Sequence, residues 1–279
     1  MIDLHCHSTV SDGALSPQEV VKLAAENGCQ MLALTDHDHT GGIAPARAEA
    51  EKCGIRLISG VEISVTWRGT TIHMVGLDFD EHNENLQTLL AQTRAGRIDR
   101  IAQMAEKLAK KGITGAFDGA MALAAANPEM VSRTHLADFL LQQGHVRNKQ
   151  QAFTKYLGEG KCAFVRHQWA DFQAAVAAIL GAGGIAVIAH PMRYDLSATG
   201  RRNLFSEFKA LGGHAIEVHS GNCQLNERLS YALLAQKFGL WASCGSDFHR
   251  LGGYSGGTLG VCPELPPICE PVWRHFQAA

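Results

Sequence analysis

MIDLHCHSTVSDG, residues 1–13, reads as a buried strand that runs into a loop and delivers two imidazoles, His5 and His7, at its end. Side chains alternate along a strand, so His5 and His7 share one face and Cys6 takes the other, which lets both imidazoles reach one ion. Asp12 follows in the loop, close enough to join the same cavity, although beside Gly13 it also suits a plain turn. The same event recurs along the chain. MLALTDH ends in His37, LISGVE in Glu62, IAVIAH in His190, and ASCGSDFH in Asp247 and His249. His73 sits within TTIHMVGL, where a single imidazole reads equally as a hydrogen-bonded core residue. Imidazoles and carboxylates gathered at successive strand ends make a metal site on one rim of an α/β sheet or barrel.

Between these strand ends the chain alternates. SPQEVVKLAAENG, residues 16–28, is a punctuated helix: Ser16 as N-cap, Pro17 in the first turn, Glu19 completing a capping box and Gly28 ending it. Strands are expected near 31–36, 55–63 and 71–78, with a helix at 43–53, and the rhythm implies right-handed βαβ units. It breaks at one long helix over 84–112. Residues 99–166 carry apolar stretches at helical spacing and almost no strand signal, and are expected to form a helical insertion over the rim. The barrel proper is then 1–98 and 167–279. Helices at 171–183, 201–212 and 224–238 alternate with strands at 185–190, 214–219 and 241–245, and a last strand is expected near 257–262.

A chain of 279 residues with 46% hydrophobic and 19% charged side chains is a globular protein with one large core. A net charge of −2 argues against electrostatic capture of long DNA or RNA but permits a local basic pocket. No apolar run is long enough for a bilayer and no signal-like segment opens the chain, so a cytoplasmic location is expected, with no membrane partner. The cysteines occur singly, without a CxxC pair, and read as reduced structural residues. Imidazole and carboxylate donors without thiolate suit manganese, iron or zinc, with no choice among them from softness alone. Paired ions of this kind activate water and neutralise phosphoryl charge, whereas no serine or cysteine nucleophile with a base is evident. Cations for a substrate phosphate are expected near the rim: Arg133 and His135 in VSRTHLADFL, Lys161 in GEGKCAFV and Arg193 in HPMRY, with His219 and Asn222 at another strand end, EVHSGN.

The order His-x-His, Asp, Thr-Asp-His, Glu, His, Ala-His-Pro, Ser-Asp-x-His resembles that of the polymerase-and-histidinol-phosphatase (PHP) phosphoesterases, from residue 3 to residue 249. The resemblance implies a distorted (β/α)7 barrel with two or three divalent ions, manganese foremost. It implies one ion on His5, His7, Glu62 and Asp247, a second bridged by Glu62 to His73 and His190, and a third on Asp12, His37 and His249. His5, His7, Glu62, His190 and Asp247 are the implied catalytic set, acting through a metal-bridging hydroxide. The segment around Arg133 and His135 resembles an Arg-Pro-His stretch in a nucleotide-acting branch, and His135 is an alternative metal ligand there. That branch implies removal of the 3′-phosphate from nucleoside 3′,5′-bisphosphates such as phosphoadenosine phosphate, leaving the 5′-monophosphate, and trimming of short oligonucleotides. Open beside it are a histidinol-phosphate or other small monoester phosphatase, a 5′→3′ exonuclease on short RNA, an amidohydrolase, and a non-catalytic metal-dependent nucleotide-binding module.

Overall fold

The computed structural model describes residues 1–125, 127–252 and 257–277. Its strands are β1 (Ile2–Cys6), β2 (Met31–Leu34), β3 (Arg56–Trp67), β4 (Thr70–Leu77), β5 (Ala170–Asp171), β6 (Ile185–Ile188), β7 (Ala215–Ser220) and β8 (Trp241–Gly245). The helices are α1 (Pro17–Glu26), α2 (Ile43–Cys53), α3 (Glu84–Ala109), α4 (Ala116–Leu123), α5 (Arg133–Gln142), α6 (Lys149–Ala152), α7 (Phe172–Gly181), α8 (Ala198–Ala210) and α9 (Leu225–Phe238). One sheet runs β1-β2-β3-β4-β6-β7-β8, with the short β5 flanking β3. Beyond the end of β8, Asp247 N donates to His5 O at 2.7 Å, and Cys6 bridges Phe248, so the sheet nearly closes on itself as a distorted barrel. Gly245 makes that closure possible: a Cβ there would lie 2.2 Å from His5 Cβ.

Local signals act as the sequence predicts. Ser16 accepts from Glu19 N, Glu19 returns to Ser16 N at 2.7 Å, and Pro17 fills the first turn of α1. Cys6 turns away from the imidazoles and packs with Val20, Val21 and Leu34 under α1 and α2. All eight cysteines are free thiols.

Two expectations are corrected. β3 does not stop at Glu62 but continues to Trp67, and β4 runs antiparallel to both β3 and β6. The reason is the connection: Arg68 and Gly69, both at positive φ, form a tight turn, and a turn that short can only join antiparallel strands. The strand expected near 257–262 is also absent. Val261 N bonds back to Thr258 O at 3.1 Å, closing a turn, while Gly260 N donates to the buried Asp3 carboxylate at 2.8 Å.

Leu4, Ala33, Ile58, Val75, Val187 and Ala215 fill the barrel interior, so the floor beneath the rim is dry. A larger apolar layer lies between the sheet and α7, α8 and α9, with Phe205 and Phe208 fully buried. A separate cluster built on Ile101, Leu108, Leu136, Leu140 and Leu157 holds α4, α5 and α6 to the second half of α3. α3 itself is continuous from residue 84 to 109. Among the described residues, no helix is long and apolar enough to cross a membrane.

Candidate metal centre

The strand ends converge. His5 Nε2 lies 3.1 Å from His7 Nε2, 3.3 Å from Glu62 Oε2 and 3.4 Å from Asp247 Oδ1. Glu62 is the hub. Its Oε1 is 2.9 Å from His73 Nδ1 and 2.9 Å from His190 Nε2, while its Oε2 is 3.0 Å from His37 Nδ1 and 3.3 Å from His7 Nε2. The β3–β4 register explains part of this: Glu62 opposes Val75 and Ser64 opposes His73, so Glu62 and His73 are diagonal neighbours on one face. Asp12 approaches His249 Nε2 at 3.3 Å and His37 Nε2 at 3.8 Å. Three groups have donor atoms close enough to share an ion: His5, His7, Glu62 and Asp247; His7, Asp12, His37 and His249; and His37, Glu62 and His73. The first repeats the expected grouping. The others differ: His7 joins Asp12, His37 and His249, and His37 stands beside Glu62 and His73 where His190 was expected, so that His7 and His37 are each shared between two groups.

The donor chemistry fits divalent ions. His7 Nδ1, Asp12 Oδ1, His37 Nδ1, Glu62 Oε2 and His190 Nδ1 are buried without a hydrogen-bond partner. Native interiors rarely leave so many polar atoms unmet in one place. His37 Nδ1 and Glu62 Oε2 are close without hydrogen-bond alignment, which is how atoms sit when both are aimed at a third centre. His249 donates Nδ1–H to Asp247 O at 2.9 Å, freeing its Nε2 lone pair.

Electrostatics reinforces this. Burial opposes ionisation of Glu62, yet the imidazoles of His37, His5 and His73 outweigh it and hold the carboxyl well below the usual range. Burial acts likewise on Asp247, where His5, His7 and His249 prevail. His7 is pushed down to about 3, by burial first and then by His249, so it is neutral and able to coordinate. His249 goes the other way: burial opposes its protonation, but Asp12 and Asp247 lift it to about 9, so without an ion Nε2 keeps a proton, which a metal bound there would displace.

Outside the converging groups, Glu217 on β7 accepts from His5 Nδ1 at 2.6 Å with Oε1 and from His190 N at 2.6 Å with Oε2. One carboxylate therefore sets the tautomer of His5 and the backbone at His190, whose φ of 28° is otherwise unfavourable. Asp36 accepts from the Ser8 and Ser11 hydroxyls and holds the loop after β1. Asp38 accepts from Ser64 N and pairs with Arg97, so it is a buried structural link rather than part of a solvated loop.

The substrate candidates separate. Arg133 and Arg193 line the cavity of about 420 Å³ above the metal-ligand groups, and Arg193 pairs with Asp247. His135 is buried, with Nδ1 accepting from Ser132 N in the capping box of α5, and is not on that wall. Lys161 is exposed and off the wall. His219 is buried with Nδ1 3.1 Å from Cys223 Sγ, and Asn222 lines a different cavity beside Phe248 and Arg250. Residues unforeseen in the sequence complete the wall: Arg97 and Arg100 from α3, and Trp169, whose ring lies 4.9 Å and 5.2 Å from their guanidinium carbons. The signal for the arginines was their three-residue spacing in TRAGRIDR; that for Glu217 was a carboxylate in an apolar strand, the same signal that singled out Glu62.

The pattern of the PHP domain matches residues 3–182. The chain is 49% identical over 277 residues to the 3′,5′-nucleoside bisphosphate phosphatase of Chromobacterium violaceum, covering 99% of this chain and 96% of that protein. It is 46% identical over 274 residues to a 5′-3′ exoribonuclease of Haemophilus influenzae, covering 98% of each. A solved structure of an amidohydrolase from Chromobacterium violaceum, with sulfate bound and no metal, superposes with a TM-score of 0.94 at 49% identity, covering 98% of this chain and 95% of that one.

Proposed function

The chain belongs to the PHP domain family and is a metal-dependent phosphoesterase, and from that premise we propose that it removes the 3′-phosphate of nucleoside 3′,5′-bisphosphates, leaving the nucleoside 5′-monophosphate. One observation carries the reading. A single cavity has imidazoles and carboxylates for two or three divalent ions on its floor and four arginines on its wall, of which Arg97 and Arg193 pair with Asp38 and Asp247 while Arg100 and Arg133 remain. Among the described residues no carboxylate lies within ion-pair distance of either arginine. Burial, then Arg133 and Arg97, lowers Arg100 to about 9, and burial lowers Arg133 also. A buried cation such as Arg100, and a half-buried one such as Arg133, with no carboxylate in ion-pair contact, are stabilised when an anion arrives with the substrate. A monoester with one phosphate would satisfy the floor and leave the wall unmet; a bisphosphate satisfies both.

His5, His7, Asp12, His37, Glu62, His73, His190, Asp247 and His249 are the proposed metal holders, with Glu62 shared. Manganese is the proposed metal. Divalent ions bound there supply activation of water near neutral pH and neutralisation of charge building on the phosphoryl oxygens. The protein's own groups do the rest. Glu217 keeps His5 as its Nδ1–H tautomer, and Arg193, on the cavity wall, balances the second Asp247 oxygen. Arg100 and Arg133 receive the phosphate that is not cleaved, and Trp169 and Phe153 offer aromatic surface to the nucleoside.

A second reading is trimming of short RNA from the 5′ end, favoured by the likeness to the Haemophilus influenzae exoribonuclease. The same floor cleaves a diester, and the same wall holds a 5′-phosphate. The test is phosphate and nucleotide release by manganese-loaded protein from nucleoside bisphosphates, monophosphates, histidinol phosphate and dinucleotides. Bisphosphate turnover that is abolished by a chelator and restored by manganese is expected. Turnover of histidinol phosphate alone would end the nucleotide proposal.

A further inference from the structure

Arg100, Arg133 and Thr71 line two cavities at once. On one side lies the metal-ligand cavity; on the other, a side cavity of about 390 Å³ is bordered by Arg68, Arg166, His167 and Thr70. None of the proposed metal holders borders it. From the metal-ligand cavity the way into this side cavity passes the buried Arg100 and the half-buried Arg133, so a substrate that spans both cavities places in it a group attached to its second phosphate and not to the ester being cleaved. Arg68 and Arg166 are exposed; Arg68 pairs with Glu207 at 3.1 Å and lies over the Trp67 ring at 5.1 Å, and Arg166 pairs with Glu159 at 3.4 Å. Such pairs are worth little, so either guanidinium is readily drawn to an incoming phosphate, whose oxygens match its fork of donors.

We propose that the side cavity is an anion subsite for a further phosphate linked to the substrate's second phosphate, so that the enzyme accepts nucleotides extended at the end remote from the scissile ester. This rests on the bisphosphate reading for the identity of that second phosphate. Two linkages share the chemistry: a phosphoanhydride, as in a 5′-diphosphate, and a phosphodiester leading to a neighbouring nucleotide. The wall carries four arginines against one carboxylate, Glu159, and only Phe164 and the His167 imidazole as rings among the described residues, which favours the anhydride.

The test is calorimetric titration of the manganese-loaded full chain with adenosine 5′-monophosphate, adenosine 5′-diphosphate and a 5′-phosphorylated diadenylate whose internal linkage is a 3′-methylenephosphonate, none of which carries a hydrolysable ester at a 3′ carbon. The diphosphate is expected to bind about tenfold tighter than the monophosphate, and Arg68→Ala with Arg166→Ala to erase that ratio. A diadenylate gain of the same size, lost in the same variants, supports the subsite with the phosphodiester as its source. Equal affinity of all three ligands, or a diphosphate advantage untouched by both substitutions, overturns the subsite. Because the readout is binding, failure of bisphosphate hydrolysis in the phosphate-release assay is a separate result and counts only against the parent reading.

Discussion

Replacing Glu217 by glutamine tests how the barrel holds His5. In the native arrangement both carboxylate oxygens accept, Oε1 from His5 Nδ1–H and Oε2 from His190 N–H, each at 2.6 Å. A glutamine has one oxygen and one NH₂ group. The backbone N–H of His190 has no alternative form, so the oxygen must face it and the NH₂ must face His5. Imidazole can adapt by moving its proton to Nε2, but that nitrogen is the one aimed at Glu62, His7 and Asp247. Removing such an orienting partner weakens metal binding by roughly 10–100-fold. Glu217→Ala strands both buried donors and adds about 1–3 kcal/mol of destabilisation for each. Metal affinity is measured by competition with a fluorescent chelator, stability by urea unfolding without metal, and the His5 tautomer by nitrogen chemical shifts of the ring. The expected glutamine variant is folded, weakened for metal, and carries its His5 proton on Nε2. Wild-type metal affinity in that variant, with the proton still on Nδ1, would refute the reasoning.

Three further outcomes follow from the geometry. Gly245→Ala places a Cβ 2.2 Å from that of His5 where β1 and β8 meet, and should destabilise the fold by about 1–3 kcal/mol in urea unfolding, with metal affinity falling in step. Arg100→Met removes a buried cation lacking a carboxylate partner, so stability should hold or rise while KM for a bisphosphate increases about tenfold; a clear loss of stability with unchanged KM would contradict the assigned role. His219 is held down to about 4, by burial first and then by Arg228. The unfolded chain therefore takes up a proton near pH 6.5 that the folded chain refuses until about pH 4, so stability should fall as pH drops through this window. Urea unfolding between pH 7 and pH 4 should show a shallower decline in His219→Gln, and an unchanged slope would count against it.

How much of this was legible in the sequence depends on the range of each signal. The α1 capping box, the apolar strands and the imidazoles at their ends are set by residues within a few positions of one another, and strand and helix periods reveal them without a partner. The reversal of β4 was missed because Thr70–Leu77 is equally apolar in either direction, and only the two-residue turn at Arg68–Gly69 tells them apart. Seven strands and a helical stretch were readable; the direction in which one strand runs was not.

The centre divides in the same way. Sequence by itself determined which side chains are available at strand ends, and hence a metal-dependent chemistry, because ligand type and strand period are local properties. Tertiary structure alone decided that His7 and His37 are each shared between groups, that Glu217, 212 positions away, orients His5, and that two arginines of α3 face the cavity. Those facts depend on how a nearly closed sheet brings distant segments to one rim, and no local period encodes that closure.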